Sequence, residues 1–426
     1  MNRWVPRAGV AVTVVSVLAA CGTEPGGLSS QNNEFSGRGP ITIATGKDNS
    51  TTLNKIIDKW NVDHPDELVR AVELSDSPDQ QRQRMIQDAE LKSGEFAVLD
   101  LDVVWTAEFA ANRWIMKLPD DIADPTQFLK PTIEAASYRD GLYAVPVTSD
   151  AGLLFYRSDL LEKSGKKPPK TWGEMQATCK KVLKMPEAKG MSCYAGQFDK
   201  YEGLTVNFAE MVDSAGGRIL DDKGSPHVDS QEAARALTFF RDGIKNGLIA
   251  EKAITYKEEE GRQAFQKGEL VFHRQWPYQW SLANDAKSSK VSKKFSVAPL
   301  PGLDGPGVSS LGGHNLAVSP QADNKATALD FVKFMTSEKT QRDRLLLGSN
   351  APTRAALYDD ADLIAKYPYL PELKQSINTA NPRPRVVHYG DATAAIQDEA
   401  YKALTGESTP EQALANLQKK LHQLKP

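Results

Sequence analysis

Between Ile41 and Ala110 the chain alternates short apolar runs with amphipathic ones, and this rhythm narrows its possible folds more than any other feature. "ITIATG" (Ile41–Gly46) is a β-rich run, and the segment after it carries Leu53, Ile56, Ile57 and Trp60 at helical spacing before stopping at Pro65. "LVRAVEL" reads as a second strand and "QRQRMIQDAELKSG" as a polar amphipathic helix. "FAVLDLDVVWTAEFA" (Phe96–Ala110) is a third strand with Asp100 and Asp102 set among its apolar residues and Trp105 just beyond. Parallel strands need long crossovers, which helices supply, so this order predicts an α/β fold with a parallel sheet covered on both faces.

Further along, strands are predicted around Val145–Thr148 and Gly152–Tyr156. Thr171 followed by Glu174 is the pattern of a capping box. Helical patterns follow at Leu204–Ser214, Gln231–Asn246 and Lys257–Lys267, and "ELVFHRQWPYQW" begins as a strand that turns at Pro277. "LPGLDGPGVSSLGGHNLAVSP" is a Gly/Pro-rich loop entering a strand, and the remainder is mainly helical. Roughly 385 residues follow residue 38, more than one core ordinarily holds, so two lobes are expected.

The first residues read as a secretory signal: Arg3 and Arg7 precede "AGVAVTVVSVLAA", an apolar run too short to remain as a membrane span. Leu18-Ala19-Ala20-Cys21 resembles the bacterial lipobox, in which the cysteine is lipidated; the alternative is a plain signal peptide with an incidental cysteine. Residues 1–20 are thus expected to be the lipoprotein signal and 21–38 a Gly/Ser/Pro-rich tether. With Cys21 consumed, Cys179 and Cys193 remain as a pair that an exported chain is expected to join. The net charge of −3, with signs interspersed, argues against a nucleic-acid partner.

No enzymatic signature emerges. The six histidines are scattered without a metal-ligand spacing, GxSxG and GxxxxGK[ST] are absent, and "GLDGPG" lacks the strand-to-helix setting of a nucleotide site. What recurs is a carboxylate, amide or arginine beside an aromatic ring at strand ends: Asp102 before Trp105, Asp150 after its strand, Gln275 to Trp280 in "RQWPYQW", and Arg383 and Arg385 near Tyr389. Such mixtures suit neutral sugars, whose hydroxyl pairs take bidentate hydrogen bonds and whose C–H faces stack on aromatic rings. In open α/β sheets a ligand lies beyond the carboxyl ends of the strands.

Taken in order, "DVVWTAEFAANRWIMKLPD", "GLYAVPVTSDAGLLFYRSDLL", "PPKTWGEM", "GGHNLAVSP", "NAPTRAALY" and "RPRVVHYGDATAAIQDEAYKALTG" resemble the family 1 extracellular solute-binding proteins of bacterial sugar ABC transporters. "DVVWTAEFA", "YEGLTVNF" and "PRPR" look like its trehalose/maltose-binding branch, which includes actinobacterial lipoproteins. The resemblance implies a two-lobed fold of the maltose-binding-protein type with the ligand cleft between lobes, one over residues 39–147 and 317–360, the other over 148–316 and 361–426. It implies a monomeric, extracytoplasmic, lipid-anchored receptor that hands an α-linked disaccharide to a membrane permease, with no cofactor or metal. Longer maltodextrins, a secreted carbohydrate-active enzyme and a structural lipoprotein are the rival readings.

The same resemblance suggests ligand contacts at Asp48, Asp102, Asp150, Glu260, Trp276, Gly312, Gly313 and Arg383. Asp150 stands where the trehalose-binding lipoproteins carry Asn. Asp102 could instead cap the helix that follows, Glu260 could be a solvated helix start, and Arg383 is favoured over Arg385. Trp105 is expected beneath the site rather than in it, and Asp100 has no assigned role. Tyr201 and Glu202 are weaker candidates at the cleft edge.

Overall fold

The computed structural model describes Met1 and residues 34–424, except for the side chains of residues 47–51. The expected signal segment, most of the tether and Cys21 therefore lie outside the described residues, as does the side chain of Asp48.

The strands are β1 (Ile41–Thr45), β2 (Val69–Glu73), β3 (Val98–Asp102), β4 (Ser137–Tyr138), β5 (Gly141–Leu142), β6 (Val145–Ala151), β7 (Leu153–Tyr156), β8 (Ser192–Ala195), β9 (Leu270–Gln275), β10 (Ser296–Ala298) and β11 (Leu311–Val318). One sheet has the order β2-β1-β3-β11-β6, another β10-β7-β9-β8, and β4 and β5 form a short hairpin. β1 pairs in parallel with β2 and β3, joined by helices Lys47–Asp63 and Pro78–Leu91, as the opening rhythm predicts. β11 runs antiparallel to both β3 and β6. Pairing with β11 carries β6 on to Ala151, so the sequence limits at 147/148 and 316/317 fall inside strands rather than between them.

Alternation along β1 and β3 assigns side chains to the two faces of the first sheet. Ile41, Ile43 and Val98 pack with Leu53, Ile56 and Trp60 of one helix and Phe331, Val332 and Met335 of another. Ala44, Leu99 and Leu101 face Met85, Phe96, Trp105 and Phe109 on the opposite side. Both faces are dry, which is why these strands read as apolar runs. Trp105 is 2% exposed in that second layer. Asp100 proves to have a structural role: it is buried and accepts a hydrogen bond from Thr45 Oγ1 at 2.8 Å, fastening the end of β1 to β3.

The second sheet lies in its own core of Leu153, Phe155, Phe265, Leu270, Phe272 and neighbouring helices. Thr171 Oγ1 accepts from Glu174 N at 3.1 Å, while the Glu174 carboxylate accepts from Lys170 N instead of closing a reciprocal box. Cys179, in helix Trp172–Val182, and Cys193, in β8, form a disulfide with Cα atoms 5.6 Å apart. The chain passes between sheets at Gly152, directly from β6 to β7, and again from β10 through Ser309 and Ser310 into β11.

Replacing both Cys179 and Cys193 with serine should lower unfolding stability by about 3 kcal/mol, the loop-closure value for a ring of this size. Urea denaturation of the variant against the oxidised wild type measures the difference, and added reductant should bring the wild type to the same midpoint.

Candidate functional site

β11 assembles the site. Its residues His314, Gly313 and Gly312 lie opposite Asp102, Ser149 and Asp150 respectively, and Leu311 N donates to Asn381 O at 2.9 Å. One strand thus brings together the end of β3, the end of β6 and the segment leading to Arg383.

The first cluster centres on Arg383. Its guanidinium donates to both oxygens of Asp102, with Nη1 to Oδ2 at 3.2 Å, and to Glu202 Oε1. Glu202 opens helix Glu202–Ser214 and also accepts from Tyr389 Oη, and from Thr393 Oγ1 at 2.7 Å. Asp79, at the start of helix Pro78–Leu91, accepts from Glu202 N at 3.1 Å and Gln397 Nε2 at 3.2 Å, so the cluster spans elements of both sheets' surroundings. Asp102 has two functions, since its Oδ1 also accepts from Val104 N and caps the turn Val103–Trp105. Arg383 Nε is buried without a hydrogen-bond partner among the described residues.

Charge in this cluster is set by competition between burial and pairing. Burial works against the Arg383 cation, but Asp102, Tyr389 and Glu202 overcome it and raise its pKa well above the ordinary arginine value. For Glu202 burial wins: its carboxyl is pushed up to about 7, with Asp102 and Asp79 adding to the shift and Arg383 and Tyr389 opposing it. Arg385 is used differently. Its Nη2 donates to the carbonyls of Glu134 and Ser137, both at 2.8 Å, and holds the turn beyond helix Lys130–Ala135.

The second cluster surrounds Trp276, at the end of β9. The Arg274 guanidinium carbon lies 3.9 Å from the centroid of its ring, a cation–π contact. A Cβ on Gly312 would come within 2.7 Å of Trp276 Cζ3 and 3.3 Å of Asp150 Cβ, so glycine is required there by the approach of the ring. Gly313 is required by its backbone: φ is +107°, and a Cβ would meet Thr148 O at 2.1 Å.

Glu260 stands in the first turn of a helix. It is exposed and its carboxylate accepts from Lys257 N at 3.1 Å, the N-terminal box of helix Glu258–Gln266. The backbone of Asp48 lies in the helix after β1. Residues that sequence reasoning left out include Arg274, Glu210, Gln197 and Asp79. One signal was available: Glu202, Asn207 and Glu210 are polar residues in a helix rich in apolar ones, and all three are buried.

Among the described residues, no group of three or more His, Cys, Asp and Glu is placed to hold a metal ion. Two α/β lobes linked by short strand crossovers, with polar and aromatic side chains gathered where they meet, define a two-lobed binding protein of the maltose-binding-protein type. The chain belongs to the bacterial extracellular solute-binding proteins, the family matched by residues 55–372. It is 33% identical over 344 residues to a probable ABC transporter-binding protein of Deinococcus radiodurans, covering 78% of this chain and 81% of that one. It is 25% identical over 355 residues to the mannitol-binding protein of Pseudomonas aeruginosa, covering 80% of each. Among solved structures, maltose-bound T. maritima MalE3 superposes with a TM-score of 0.86 at 35% identity, covering 91% of this chain and all of that one.

The raised pKa of Glu202 favours its protonated form in the folded state. The stability this provides is complete below about pH 4.5 and is lost as pH rises through about 7. The wild type should therefore lose stability relative to Glu202→Gln between pH 5 and pH 8; parallel denaturation curves across that range would contradict the shift.

Proposed function

We propose that this chain is the sugar-capturing receptor of a bacterial ABC importer. It acts outside the cytoplasm as a monomer anchored through lipid on Cys21, takes an α-linked disaccharide, trehalose or a related α-glucoside, and delivers it to a membrane permease. The observation that carries this reading is the gathering on β11 of an aromatic ring, Trp276, with the polar groups Asp102, Asp150 and Arg383. That combination matches a sugar's two kinds of surface. Trp276 offers a face to its C–H groups, while the carboxylates and guanidinium take hydroxyl pairs. The relationship to the maltose-bound protein from T. maritima supports an α-glucoside ligand.

In this reading Asp102 and Arg383 exchange part of their mutual bonding for bonds to sugar hydroxyls, and Arg383 Nε supplies a further donor. Asp150 contributes from the end of β6, with Asp48 and Glu260 as outer contacts. Gly312 and Gly313 keep the backbone low enough for the ring and sugar to approach. An analogue lacking one hydroxyl leaves a buried group unpaired, at about 1–3 kcal/mol each. Closure of the lobes around the sugar then makes a shape that the permease recognises.

Thermal shift and calorimetry with trehalose, maltose, sucrose, maltotriose and mannitol test the proposal. A bound sugar at a hundred times its Kd should add about 2.7 kcal/mol of stability. Trp276→Ala should weaken binding on the order of tenfold or more while the protein stays folded. No response to any of the α-glucosides would refute the substrate assignment, and release of glucose would point to an enzyme.

A further inference from the structure

We propose that the buried pair Arg274–Glu210 positions the Trp276 ring, closing one of its faces, leaving the other for sugar, and tying its plane to both crossovers between the sheets. The proposal builds on the reading of Trp276 as the stacking surface.

Arg274 lies near the end of β9 and Trp276 just past it, and the chain brings their side chains together. The guanidinium lies against the indole at 3.9 Å and occupies one side of it. Gly312 meets the ring's edge at Cζ3 and Cη2. The ring is thus held from beneath and from the side, and only its other face is available to a ligand.

Arg274 is held in turn by Glu210 through two bonds, Nε to Oε2 at 2.8 Å and Nη2 to Oε1 at 2.5 Å, with the two side chains 1% and 6% exposed. Gln197 Oε1 accepts from Arg274 Nη1 at 3.2 Å. The remaining bonds of Glu210 go to the crossovers. Its Oε1 accepts from Ser309 Oγ and Ser310 N, both at 3.2 Å, on the path into β11. Ser309 Oγ in turn lies 2.6 Å from Gly152 N, the residue between β6 and β7. A Cβ on Gly152 would come within 2.6 Å of Glu210 Oε1 and 2.7 Å of Arg274 Nη2, so the crossover backbone rests directly on the ion pair.

An apolar pair of similar volume would hold this core together about as well, because the desolvation of a buried ion pair offsets most of its attraction. An apolar pair would not fix a ring plane or report the position of two crossovers. The ion pair does both.

Protein labelled with 5-fluorotryptophan provides a readout free of sugar, with the Trp276 resonance identified by its disappearance in Trp276→Phe. Arg274→Met should shift that resonance and leave those of the other tryptophans in place. Calorimetry with maltose or trehalose, whichever binds the wild type more tightly, should show about a tenfold loss for Arg274→Met. In a Trp276→Ala background the same change should alter affinity less than about twofold. An unmoved resonance, or an equal loss in both backgrounds, would overturn the proposal and leave the pair purely structural. If Arg274→Met does not fold, Arg274→Lys keeps a cation for Glu210 while removing the guanidinium plane, and both readouts apply to it unchanged. If the wild type binds no sugar, the functional reading fails and the ring resonance alone decides the positioning role.

Discussion

The gathering of Asp102, Asp150, Trp276 and Arg383 depends on β11 lying antiparallel between β3 and β6. The strand enters from the second sheet, crosses into the first, and fixes the register of both neighbours at once. A slip of one residue would turn every side chain of the strand to the opposite face. The pair Gly312–Gly313 satisfies two separate demands on consecutive residues, close approach of an indole at one and a left-handed backbone at the other.

The sequence made the first sheet legible because its signal is local. Ile56 and Trp60 announce a helix by their spacing, and β1 and β3 announce buried strands by composition. The disulfide was legible from cysteine count and export. The polar clusters were only half visible. Asp102 and Arg383 could each be suspected, but their partnership spans 281 positions and leaves no trace in any local pattern. Glu210 and Arg274 were missed for the same reason, since a charge in an apolar helix or strand shows its role only once its partner is known. Glu260 illustrates the converse, since its capping interaction with Lys257 N is local and legible from the helix start.

The two clusters differ in energetic character. Arg274–Glu210 is a closed pair, wrapped by Gln197, Ser309 and backbone, and suited to hold geometry. The Arg383 cluster is less settled. It gathers Asp102 and Glu202 around one guanidinium, with Asp79 behind Glu202; burial raises the pKa of Glu202, and Arg383 Nε has no hydrogen-bond partner among the described residues. Placing the rigid pair under the ring and the adjustable cluster at the junction of the sheets separates what must stay fixed from what must respond.

The disulfide belongs wholly to the second sheet's surroundings, joining helix Trp172–Val182 to β8, and touches neither cluster. A molecule that escaped oxidation would therefore present the same recognition surface as a mature one while visiting its unfolded state more often. Surveillance by proteases, which sample the unfolded state, would detect the difference where a competition for ligand would not. Thiol oxidation would then govern how long a molecule survives and leave what it recognises unchanged.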